Sequence, residues 1–176
     1  QSLINMFFKN NDININKEIL IEYKKILSKD VFSMDQEIKT NLLYLLTEYD
    51  QLELFKIIYE SISNKKTFTF LLETIKTDAI NIFKYLNNEF NYSFEEIYSL
   101  SRRALNNNSL KILLELTNNK KLDLSYGNNS FIQVISDHIN TKESEIIFKK
   151  IIKTPFVNPL SNQGYVLCKL IEANKY

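Results

Sequence analysis

Glycine and proline are nearly missing from this chain of 176 residues, with two of each. At ordinary usage of about 7%, a chain of this length carries roughly a dozen glycines. So few breakers, with no Trp, favour long helices joined by polar turns in which Asn stands in for Gly. Asn tolerates the left-handed backbone region better than most residues. The pairs Asn87-Asn88 and Asn118-Asn119 follow candidate helices, and the pattern predicts that they close them.

Other absences exclude whole chemistries. Two isolated glycines cannot build a phosphate loop or a dinucleotide fingerprint. One cysteine, Cys168, rules out an internal disulfide and fits a reducing compartment, so the expected location is intracellular and cytoplasmic. Cys168 lies in the apolar run Val166-Leu167-Cys168, which predicts a packed side chain. The chain's one histidine, His138, ends a candidate helix, and two lone residues carry no nucleophile–base spacing. No cluster of three or four zinc ligands can be assembled from such a set. No apolar run reaches the roughly 18 residues that a membrane span needs. The first residues carry no signal-peptide pattern, and a chain that starts at Gln is expected to be a piece of something longer. Charge of one sign is also missing: 22 Lys plus Arg face 21 Asp plus Glu. That balance argues against nucleic acid or a membrane surface as the partner.

What is present is an ordinary globular composition, 44% hydrophobic and 24% charged, in a length that suits one domain. Helical spacing runs almost throughout. Asn16 is a candidate cap for a helix over 16–27, and Asp35 for the next. From there helices come in pairs. Segments 42–47 and 52–59 flank Glu48-Tyr49-Asp50, and 68–75 and 80–86 flank Lys76-Thr77-Asp78. Segments 94–105 and 110–116 flank Asn106-Asn107-Asn108, 131–139 precedes 146–152, and 165–171 starts a last unit. Phe55, Phe83 and Phe148 occupy core spacing in second helices, so the aromatics read as packing and not as stacking platforms for bases.

A further pattern recurs at a longer interval. An apolar residue followed by Asn or Asp occurs at Ile13-Asn14, Phe90-Asn91, Leu122-Asp123 and Val157-Asn158. The last three are 32 and 35 residues apart. A period near 33 with two amphipathic helices marks a stacked helical repeat. The second helices share one rhythm, as in 52–58, 80–86 and 110–116, with apolar first, third, fourth and seventh positions.

With the hydrophobic-Asn/Asp steps, this arrangement resembles the ankyrin repeat in degenerate form, best over 90–176 and weaker over 41–88. The Thr-Pro-Leu-His start of that family's first helix is absent, and Asp or Asn replaces the Gly between its helices. Gly127 and Gly164 fall in the two last expected fingers. The variable period leaves room for another alpha-solenoid, HEAT-like or TPR-like, although no TPR pattern is found. The resemblance implies an all-α solenoid of stacked helix pairs over 41–176, behind an N-terminal cap or divergent first unit over 1–40. It also implies a concave face of first helices and fingers that binds a partner.

On that face the sequence singles out Arg102 and Arg103, the chain's two arginines against twenty lysines. Arg holds carboxylates bidentately and stacks on aromatics, which makes it a strong interface residue. Tyr98 lies one turn before Arg102 and Asn106 one turn after, completing a candidate contact stripe; the plain alternative is a pair of solvated charges. The expected function is a non-catalytic protein–protein scaffold, with no enzyme activity, cofactor, metal or small-molecule substrate. The competing reading is a structural helical domain packed permanently within a larger assembly, which would expose an apolar patch. An enzyme would instead need a deep pocket with shifted titratable groups. The last unit stops after one helix, which suggests that the chain continues or that this helix caps the stack.

Overall fold

The computed structural model describes residues 33–137, 139 and 141–173. Among them all regular structure is helical, and there is no strand. The helices are α1 (Gln36–Glu48), α2 (Leu52–Glu60), α3 (Thr67–Thr77), α4 (Ile80–Glu89) and α5 (Phe94–Asn106). They continue with α6 (Leu110–Leu116), α7 (Tyr126–Asp137), α8 (Lys142–Ile152) and α9 (Ser161–Glu172). The expected 16–27 helix, the Ile13-Asn14 step and His138 lie outside the described residues. So does most of the 1–40 unit, and α1 spans its expected boundary.

Helix ends follow from local chemistry. Asp35 caps α1, its carboxylate accepting from the Glu37 amide at 2.8 Å. Ser93 and Glu96 form a reciprocal capping box on α5, and Thr141 does the same with Ser144 on α8. At the other end, α1, α3 and α5 terminate alike. Asp50, Asp78 and Asn108 take φ of 49°, 53° and 57°. The next residue's amide reaches back five positions: Gln51 to Leu46 and Ala79 to Thr74 at 2.9 Å, and Ser109 to Ala104 at 2.8 Å. A left-handed residue with a six-to-one bond is the Schellman closure, usually made by Gly. Asp and Asn reach that region at a modest cost, so three reversals form without a glycine.

Of the two Asn pairs expected to close helices, Asn87 and Asn88 instead lie inside α4. Asn118 and Asn119 do close α6, their amides donating to the Glu115 and Leu116 carbonyls at 3.0 and 2.9 Å, without left-handed backbone. The sharp reversals at Asp50, Asp78 and Asn108 fall within the first three pairs, where the next helix starts two residues on. Of the connections between pairs, the one after α8 has a left-handed residue of its own, Phe156 at φ 69°. Gly127 and Gly164 are not finger residues either, since they belong to the first turns of α7 and α9. Only Gly164 has positive φ, at 77°, with open space around it, so backbone conformation alone calls for glycine there.

Packing pairs the helices in a regular order. α1 meets α2 and α3, α3 meets α4 and α5, α5 meets α6 and α7, and α7 meets α8 and α9. The even helices also touch in sequence: α2 with α4, α4 with α6, α6 with α8. Each helix contributes a fully enclosed apolar side chain: Leu43, Phe55, Leu71, Phe83, Ile97, Ile112, Ile132, Ile147 and Val166 in turn. Burying one such side chain contributes about 1.5–3 kcal/mol, and ordering the backbone opposes it. Phe55, Tyr59, Phe70 and Tyr85 form an edge-on and stacked cluster joining α2, α3 and α4, as the packing reading expects.

Helix ends of one pair are also tied to the next. The Asp50 carboxylate accepts from the Asn81 amide at 3.1 Å, the Asn81 side-chain amide at 2.8 Å and the Ile82 amide at 3.0 Å. It thereby caps α4 from a distance and meets the positive end of that helix. Thr77 donates its hydroxyl to the Thr47 carbonyl at 3.2 Å, and Ser109 donates to the Ile75 carbonyl. In the connections, the Lys121 ammonium donates to the Asn91 side chain at 2.8 Å and the Tyr92 carbonyl at 2.7 Å. The Asn158 amide donates to the Asn129 side chain at 2.9 Å. The three hydrophobic-Asn/Asp steps turn Phe90, Leu122 and Val157 inward and expose Asn91, Asp123 and Asn158.

α9 differs from the rest. Its Val166, Leu170 and Ala173 face the core. Leu160, Leu167, Cys168 and Ile171 are exposed, and Phe156 in the preceding connection is 91% exposed. The expected packed role of Cys168 is therefore corrected. It sits on the outer side of a helix that has a described neighbour on one side only.

Candidate partner-binding surface

α5 carries the stripe singled out from the sequence. Ile97, Leu100, Ser101, Ala104 and Leu105 point inward at helical spacing. Glu95, Ser99, Arg102, Arg103 and Asn106 are exposed on the other side. Three of the four sequence-predicted residues, Arg102, Arg103 and Asn106, thus share one solvent-facing surface. Tyr98 does not stand free beside them. Its half-buried ring stacks near Phe94 (centroids 6.1 Å apart, planes 17°) and meets Phe131 edge-on at 5.6 Å, tying α5 to α7.

The arginines' surroundings follow from the same register. Buried pairs on α3 (Phe70 and Leu71, Thr74 and Ile75) and on α7 (Phe131 and Ile132, Ile135 and Ser136) match those on α5. In that alignment Arg103 and Asn106 correspond to Glu73 and Lys76 on α3, and to Val134 and Asp137 on α7. Glu73 is already paired with Lys76 at 2.6 Å. Asp137 accepts a hydrogen bond from the Tyr165 hydroxyl at 2.6 Å. Neither guanidinium forms an ion pair with a described residue. The Arg103 carbonyl accepts from the Asn107 backbone and side-chain amides, each at 2.9 Å, which fixes the end of the helix.

Sequence reasoning missed Ser101, directly before the arginines. It is completely buried, and its hydroxyl has no hydrogen-bond partner among the described residues. The equivalent inward positions on α1, α3 and α7 hold Leu43, Leu71 and Ile132, all fully enclosed. A small polar residue in an aliphatic column was the available signal.

The shifted groups among the described residues are spread along the chain. Burial raises Tyr92 and, with Glu89 and Glu60 nearby, pushes Tyr85 up to about 12. Both phenols are hydrogen-bond donors at neutral pH, Tyr92 to Asn87 at 2.7 Å and Tyr85 to Glu60 at 3.3 Å. Asp78 is raised by burial, opposed by Lys111 and reinforced by Asp50 and Glu143. Among the described residues no group of three or more His, Cys, Asp or Glu is placed to hold a metal ion. No described helix is long and apolar enough to cross a membrane. No family model, curated protein or solved structure matches the chain.

Proposed function

We propose that the chain is a non-catalytic protein–protein scaffold, built as a degenerate ankyrin-like solenoid. The helix pairs of 41–176 form the array, and 1–40 forms its cap or divergent first unit. The observation that carries this reading is the recurrence of one junction. Three left-handed joints with the same closure are combined with side-chain bonds that tie the first pair to the second and the second to the third. Helices that touch odd to odd and even to even are what a stack of pairs requires. The partner is another protein, held on the first-helix face around Arg102, Arg103 and Asn106, with Tyr98 as support. Nucleic acid, membrane and small molecules are not its ligands, and its setting is intracellular and cytoplasmic. The test is affinity capture from source-cell lysate, comparing wild type with a folded Arg102→Glu/Arg103→Glu variant. A partner held by wild type and lost by the variant supports the scaffold and its surface. A partner held equally by both removes the arginine face.

A second reading has its own observation. Leu160, Leu167, Ile171 and Phe156 present exposed apolar surface at the α9 end. That suits a structural domain packed within a larger assembly. Sedimentation over a concentration series separates the two: a monomer throughout favours the scaffold, and association favours the structural domain.

A further inference from the structure

Resting on the scaffold reading, we infer that the partner segment is acidic and is gripped by Arg102 and Arg103. The chain supplies its positive charge almost entirely as lysine, and its two arginines are adjacent, exposed and in the middle of the described helices. Carboxylates at matching positions on the flanking helices are taken by other groups, Glu73 by Lys76 and Asp137 by Tyr165. Two guanidinium forks therefore face solvent with no intramolecular carboxylate among the described residues. Each fork offers a planar pair of donors that fits a carboxylate bidentately. Asn106 adds an exposed amide one turn on. An exposed cationic face of this kind selects a peptide rich in Asp or Glu over neutral or basic ones. Net charge near zero elsewhere keeps that preference local.

The experiment selects random displayed peptides on the immobilised full chain, then titrates a fluorescein-labelled glutamate-rich dodecapeptide. The expected result is an acidic consensus. Affinity for the acidic probe should fall by about tenfold to a hundredfold in Arg102→Gln/Arg103→Gln. Far-UV helicity should be unchanged, and Arg102→Lys/Arg103→Lys should recover only part of the loss, because the charge returns without the fork. Added salt should weaken the wild-type complex. An apolar or basic consensus overturns the acidic partner while leaving a scaffold in place. Acidic binding that the Gln variant retains overturns the assignment to these arginines. No enrichment of any peptide overturns both.

Discussion

Asp50 and Asp78 stand at equivalent joints with nearly the same φ, 49° and 53°, yet their carboxylates live differently. Asp50 reaches the start of α4 and accepts three hydrogen bonds there. The Asp78 carboxylate accepts no hydrogen bond from a described residue and is raised by burial, with Asp50 and Glu143 adding repulsion against the attraction of Lys111. The left-handed closure therefore requires only a residue that tolerates the conformation. Tying one pair to the next is a separate task, done by the side chain at the first joint and not at the second. Spacing explains the contrast. The two joints are 28 residues apart, whereas Asn81 and Lys111, the second residues of α4 and α6, are 30 apart.

The largest expected effect comes from Asp50→Ala. It removes three hydrogen bonds and places a Cβ residue without polar compensation in the left-handed region, costing about 2 kcal/mol. Chemical denaturation checks this, and an unchanged midpoint would mean that water replaces the carboxylate at α4. Replacing each aspartate by Gly sharpens the comparison, because backbone relief and unfolded-state entropy act at both joints. Asp50→Gly should be less stable than Asp78→Gly by about 1–2 kcal/mol, the value of the hydrogen bonds alone. Equal stabilities would show that the two carboxylates contribute alike.

Ser101→Ala tests the array at its middle helix. Removing a buried hydroxyl that has no partner among the described residues should stabilise the fold by about 1 kcal/mol, read as a rise in unfolding midpoint. A fall instead would show that the hydroxyl is satisfied in solution.

The smallest effect is pH-dependent. The Asp78 carboxyl is raised above its ordinary 3.8, so folding disfavours its charged form. Its burden is absent at low pH, where folded and unfolded states are both protonated. It develops as pH rises through 3.8 and the unfolded chain releases its proton first. Asp78→Asn, which keeps the left-handed tolerance, should therefore raise the melting temperature slightly at pH 7 and leave it unchanged at pH 3. A gain of equal size at both values would point to a cause other than charge.

Much of this was legible along the chain because it depends on neighbours in sequence. The Asp35 cap, the joints at Asp50, Asp78 and Asn108, and the inward Phe55, Phe83 and Phe148 all follow from spacing and local hydrogen bonding. Expectations failed where residue type stood in for geometry: Asn87-Asn88 continues a helix, Gly127 and Gly164 lie in first turns of helices, and Cys168 is exposed. Of the candidate surface, the outward placement of Arg102, Arg103 and Asn106 was readable from helical period. The anchoring of Tyr98 between Phe94 and Phe131 was not, since Phe131 comes from another helix.

By itself the sequence determined where helices form and stop, because periodicity, caps and left-handed tolerance act within a few residues. Tertiary structure decided which polar groups meet. Asp50 at α4, Thr77 on α1 and Ser109 on α3 are bonds across roughly one repeat, and only the packing of successive helix pairs brings such atoms within reach.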